Sequence, residues 1–229
     1  MPDSHDQLAK NKMPYSMTFY QDQAGASGHT STPLPAAHRL LYVRHGAVIV
    51  NGMELQADGF AYFSDALTLE GAADWSEVWR WELAAPNAAS VSLQGTDILT
   101  LPKLARAITT LALEPGTDWL FRLDSVISVA GRITPRHQHH GPGIRCLYQG
   151  TFNVQDASHV TANQGPGDAW WESGVDTVVA WHSTQMTAIF IRALVVPMEL
   201  KGEMSNIWLD GSPASTSNWR LFIDQPITL

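Results

Sequence analysis

The chain has 229 residues, enough for one large domain or two small ones with a sizeable core. Apolar residues make up 45% and charged residues 16%, a balance too apolar for a disordered chain. A net charge of −8 without any cluster of Lys and Arg argues against nucleic acid, and no apolar run is long enough to span a membrane. The single cysteine, Cys146, excludes an internal disulfide. With a polar N-terminus lacking an apolar leader, this points to a cytoplasmic location.

Residues 1–33 are rich in Asp, Gln, Ser, Gly and Pro and read as an N-terminal arm outside the core. From His38 the pattern changes to short apolar runs broken by turn residues: "RLLYV", "AVIV", "FAYF", "EVWRWEL" and "ASVSL". Asn51–Gly52, between "AVIV" and "MELQ", is the strongest hairpin signal in the chain. A middle stretch follows in which "LPKLARAITTLAL" suits either a short helix or a strand. A second set of runs then begins: "WLFRLDSVISV", "GIRCLYQ", "TFNVQ", "HVTA", "DAWW", "TVVAWHS" and "AIFIRALVV". Many short strands at close spacing predict an all-β barrel or sandwich.

The two sets share an order of features. Each has a run ending in glycine (Gly46, Gly150), a later turn glycine (Gly59, Gly167) and a closing strand with one arginine (Arg80, Arg192). We therefore expect a duplicated unit, with one barrel over 34–95 and a second over 96–229, the latter carrying a C-terminal extension.

"RHQHHGPGIR" places His137, His139 and His140 within four positions. On a strand, residues two apart share a face, so His137 and His139 point inward together and His140 points out. Two neutral imidazoles converging in a narrow barrel form half of a transition-metal site. The plainer reading, a solvated His-rich loop or two core histidines, stays open on these residues alone.

"GRITPRHQHHGPGIRCLYQG" resembles the first motif of the cupin superfamily, with Gly131, His137, His139 and Gly150 in the expected places. "GPGDAWWESG", from Gly165, resembles the start of the second motif. The resemblance covers 120–197 well and 38–90 in strand order only, and it implies a bicupin: two double-stranded β-helix (jelly-roll) barrels in one chain. It also implies one divalent transition metal, Fe first, with Mn, Ni, Cu, Co or Zn open, and a homodimer.

The chain departs from the cupin pattern at two ligand positions. Gly143 stands where a glutamate is usual, and Val178 stands near the usual second-motif histidine. Glu172, as a carboxylate completing a 2-His-1-carboxylate set, and His182, as a third imidazole after a small loop shift, are the candidate replacements, so the metal set is His137 and His139 with Glu172, His182 or both. The first half has Arg39 at the glutamate position and no His-x-His in "STPLPAA", so His38 and His45 read as surface or packing residues.

Around that site, Glu172, Arg145 and Tyr148 are the candidate catalytic groups. Arg145 or Arg192, if inward, would grip a substrate carboxylate by a bidentate fork, while an outward, salt-bridged arginine is an equal alternative. Tyr148 and Gln149 could donate hydrogen bonds, and Trp170, Trp171 and Trp181 could wall a pocket, with core packing as the default. Cys146 reads as an inert buried thiol. "GPG" at 141–143 precedes a strand and not a helix, so it is no phosphate loop.

The functional expectation is a metal-dependent enzyme acting on a small organic molecule, with dioxygenase-type oxidation leading. Redox-neutral lyase or isomerase chemistry is the alternative within enzymes. A non-catalytic cupin that binds a metal or small molecule is the competing class.

Overall fold

In a computed structural model, residues 14–86, 88, 91–157, 160–183, 185–209 and 218–229 are described. The first half contributes β1 (Ser16–Thr32), β2 (His38–His45), β3 (Ala47–Val50), β4 (Met53–Gln56), β5 (Phe60–Phe63), β6 (Leu69–Gly71), β7 (Trp75–Ala84) and β8 (Gln94–Ala107). The second begins with β9 (Asp118–Ser128), β10 (Ile133–His139), β11 (Gly143–Gln149), β12 (Phe152–Gln155) and β13 (Val160–Gln164). It closes with β14 (Ala169–Glu172), β15 (Val178–His182), β16 (Ala188–Val196), β17 (Asn206–Trp208) and β18 (Asn218–Thr228). One 3-10 turn, Met198–Leu200, is the sole helical element among the described residues, so the all-β expectation holds.

The first half forms one eight-stranded sheet in the order β4-β3-β6-β1-β7-β2-β5, with β8 also paired to β1. The second forms two five-stranded sheets, β13-β12-β15-β10-β17 and β14-β11-β16-β9-β18. One pairing order recurs in both halves. β7 sits between β1 and β2, with β5 beyond; β16 sits between β9 and β11, with β14 beyond. Likewise β3 pairs β4 and β6, as β12 pairs β13 and β15.

Residues 16–32 are not an arm. β1 runs between β7 and β8 and buries Met17, Phe19 and Tyr20 together with the polar Gln21 and Asp22. These polar side chains misled a reading by composition, because inside the sheet each finds a partner. Asp22 accepts from Arg80 Nε at 2.7 Å, and Gln21 Nε2 donates to the Gly167 carbonyl at 2.8 Å. Residues 1–13 of the expected arm lie outside the described residues.

The middle stretch is a strand as far as Ala107, and it pairs with β1. Residues 94–107 therefore belong to the first half, not to a second unit starting at 96. Pro102 is tolerated there because β8 is largely exposed along its length. Val91–Leu93, part of the expected strand "ASVSL", is not in a strand. Asn51 and Gly52 make the expected hairpin turn, with φ of 48° and 80°, joining β3 to β4.

The halves pack face to face. One core joins Phe19, Tyr42, Trp79 and Trp81 to Phe121, Leu123, Ile144, Cys146 and Ile191. A separate core of Leu147, Phe152, Trp170, Val178 and Phe190 lies between the two sheets of the second half, next to the histidines. In the first half, Arg39 and Arg80 share Glu82, and Arg80 also pairs with Asp22, all four side chains being buried.

Candidate metal centre

β10 carries His137 and His139 on its inner face, each 5% exposed, while His140 is exposed. The His137 Nδ1–H donates to the Pro135 carbonyl at 2.8 Å, and His139 Nδ1 lies 3.3 Å from Ser205 Oγ. Both rings are thereby oriented with Nε2 toward the interior. Burial lowers His137 from its ordinary range, and it pushes His139 down to about 3 despite the opposing pull of Glu172. Both imidazoles are neutral at pH 7, the form a metal requires.

The carboxylate comes from the neighbouring strand. Glu172 ends β14 directly across from Gly143 of β11. A Cβ at Gly143 would stand 2.1 Å from the Ala193 carbonyl oxygen, so no glutamate fits there. The partner strand supplies the missing charge at the same level of the barrel. Ligand atoms of His137, His139 and Glu172 lie within 4.8 Å of one another, and no second such group of His, Cys, Asp or Glu occurs among the described residues.

Glu172 Oε1 accepts from Trp170 Nε1 at 2.8 Å. Its Oε2 lies 2.9 Å from His139 Nε2 and 2.9 Å from Arg145 Nη2, yet neither approach is aligned as a hydrogen bond. Burial alone would raise this carboxyl, but Arg145 and His139 outweigh it and hold it well below the usual carboxylate range. An ionised, buried oxygen with an unused lone pair beside two neutral imidazoles is a donor set suited to a divalent transition metal.

Arg145 does face inward. Burial lowers it to about 10, so it stays a cation at neutral pH. Its neighbour in register is Arg192, whose Nε donates to Asp124 Oδ1 at 2.5 Å. Trp219 Nε1 fixes the other oxygen of Asp124 at 2.8 Å. The Nη2 atoms of both arginines are buried without a hydrogen-bond partner. Both arginines line the same cavity of about 40 Å³ as the two histidines and Glu172, a space for a few waters or one small anion.

Other expected members lie elsewhere. His182 Nε2 is 2.9 Å from Ser128 Oγ, and His182 is not in the ligand group. Register explains this: Val178 pairs His137, whereas His182 lies four residues further along β15, about 13 Å at the rise of a strand. Tyr148 Oη donates to Asp58 Oδ1 at 3.2 Å, and Arg44 stacks on its ring at 3.9 Å, so it lies outside the cavity. Gln149 is exposed. Of the tryptophans, Trp170 acts through Glu172, and Trp171 and Trp181 do not line the cavity.

Trp208 and Trp219 do line it, the former with its ring 5.3 Å from that of His137. Both come from the C-terminal strands, where the sequence carries no motif. Ser128, Asp124 and Asn206 also went unrecognised. A usable signal was Asp124 inside the apolar run "WLFRLDSVISV", since a carboxylate there needs a buried partner.

No protein-family model and no curated protein matches this sequence. Solved structures do. A Bacillus subtilis oxalate decarboxylase variant superposes with a TM-score of 0.60 at 9% identity, over 89% of this chain and 73% of that one. A formate complex of Lactobacillus farciminis oxalate decarboxylase gives 0.58 at 10%, over 87% and 85%. AerE from Microcystis aeruginosa gives 0.52 at 11%, over 79% and 88%. The likeness establishes a cupin-type fold. Another Bacillus subtilis oxalate decarboxylase structure, similar at 0.60 and 10%, is described by its Mn(II) centres.

Proposed function

We propose that this chain is a metal-dependent cupin lyase that decarboxylates a small organic acid, built as two barrels with the ion only in the second. His137 Nε2, His139 Nε2 and Glu172 Oε2 would hold the ion. When bound, it would supply Lewis-acid stabilisation of negative charge developing on the substrate. Mn(II) replaces Fe as the preferred ion, because the similar oxalate decarboxylases are described with Mn(II) centres.

One observation carries this reading: two buried guanidinium nitrogens, Nη2 of Arg145 and of Arg192, share a small cavity with the ligand group, and neither makes an aligned hydrogen bond. Arg145 and Arg192 would bind the substrate carboxylate through their Nη2 groups, that of Arg145 while it also faces Glu172 Oε2 at 2.9 Å. Asp124 and Trp219 keep Arg192 in place. Phe152, Phe190 and Val178 exclude water from the reacting bond. Similarity to oxalate decarboxylases favours this redox-neutral chemistry over the dioxygenase expectation.

The two-histidine, one-carboxylate set also suits oxygenases, so the test has two arms. Protein loaded with Mn(II) should release CO2 from oxalate or a small 2-oxo acid without net oxygen uptake. Stoichiometric oxygen uptake with an oxidised product would establish the oxygenase instead. Neither activity, with metal bound, would favour a binding protein.

A further inference from the structure

Two hydroxyl residues line the cavity, Thr134 and Ser128, and Ser128 is the one that meets an imidazole. Ser128, the last residue of β9, is 2% exposed and lines the cavity. Its Oγ lies 2.9 Å from Nε2 of His182, itself 7% exposed and stacked on Phe152 with their rings 16° apart. The other imidazole nitrogen of His182, Nδ1, is buried with no hydrogen-bond partner among the described residues. Ser128 thus couples an O–H inside the cavity to an imidazole behind it.

Decarboxylation leaves an electron pair on the carbon that lost CO2, and that carbon must take up a proton. Four other cavity groups are poor sources. Glu172 is held ionised, and the His137 Nδ1–H is committed to Pro135. Arg145 stays protonated to about 10, and the Trp219 N–H is engaged by Asp124.

We propose that Ser128 is the catalytic proton donor of this site and that His182 is the positioning residue that replenishes it; this rests on the decarboxylase reading. The C–C bond to the departing carboxylate breaks, and its electron pair stays on the remaining carbon as CO2 leaves. That carbon forms a C–H bond with the proton of Ser128 Oγ. The serine oxygen takes the Nε2 proton of His182, and the imidazole takes up a proton at its other nitrogen and stays neutral. That proton comes from water and is the one that replacing CO2 by hydrogen consumes. No electron acceptor is involved.

The first test needs neither metal nor turnover. Formate is titrated into metal-free, full-length protein carrying isotopically labelled histidine, and the His182 side-chain nitrogen resonances are followed. The wild type and Ser128→Thr should show a formate-dependent shift at His182, because a carboxylate in the cavity accepts the Ser128 hydroxyl and alters its bond to the imidazole. Ser128→Ala should bind formate by calorimetry yet leave His182 unmoved. No shift in the wild type, or an equal shift in Ser128→Ala, overturns the relay. In the Mn(II)-loaded protein with oxalate, Ser128→Ala and His182→Gln should lower kcat about 100-fold, with KM and Mn content nearly unchanged and Ser128→Thr recovering most of the loss. Undiminished turnover in Ser128→Ala also overturns it. A wild type that shows the formate shift but no turnover counts against decarboxylation and not against the Ser128–His182 coupling.

Discussion

Glu172→Gln separates the structural and metal-binding roles of the carboxylate. The amide keeps the shape and still accepts from Trp170 Nε1, which lies 2.8 Å from Oε1. What disappears is the charge facing Arg145, whose side chain is 1% exposed and 2.9 Å away. Removing one partner of a buried ion pair costs about 3–5 kcal/mol, because the other charge stays buried without compensation. At about 2–4 °C per kcal/mol for a chain of this size, even 3 kcal/mol lowers the Tm of metal-free protein by about 6–12 °C. Exchanging Arg145 for Met in the same chain should recover much of that loss. Saturating Mn(II) should raise the wild-type Tm, by about 2.7 kcal/mol of stability at a hundredfold excess over Kd, and raise the variant's far less. Thermal unfolding with chelator and across a Mn(II) series measures both effects. An unchanged metal-free Tm together with an undiminished Mn(II) response would refute the reasoning.

His137→Ala and His139→Ala should each abolish metal retention, whereas His140→Ala, on the exposed face, and His182→Ala, outside the ligand group, should retain the ion; metal content at equal folded fraction by circular dichroism distinguishes them. Asp124→Asn should loosen Arg192 and raise KM about tenfold, the equivalent of roughly 1.4 kcal/mol, while Tyr148→Phe leaves turnover unchanged. Because burial lowers both ligand histidines below 6.5, the unfolded chain binds protons that the folded chain does not. Metal-free stability should therefore fall as pH drops below about 6.5, and less steeply in His139→Phe; urea titrations at several pH values check the slope. Glu172 acts at lower pH: its depressed pKa contributes stability above the ordinary carboxyl range that is lost on further acidification.

Alternation made the inner face of β10 legible, because a period of two fixes which histidines point together. The gap at Gly143 was equally informative, since the missing charge had to come from a strand at the same level, and Glu172 is directly across from it. His182 lies apart from that group, because sequence distance along β15 does not reveal its register against β10. β1 was missed for a related reason: Gln21 and Asp22 look like surface residues until their partners on Gly167 and Arg80 are in place. Arg192 was seen, but its direction was not. Only the pairing of β16 with β9 and β11 places it between Asp124 and Arg145. The tryptophans that line the cavity come from β17 and β18, whose sequences carry no cupin signature to align.

The most direct test is a crystal of the chain grown with Mn(II) and examined by anomalous scattering at the manganese edge. A single peak per chain is predicted, within coordination distance of His137 Nε2, His139 Nε2 and Glu172 Oε2, in the cavity that Arg145 and Arg192 also line. A peak at any other group of residues, or none under conditions where the protein decarboxylates oxalate, would contradict the account.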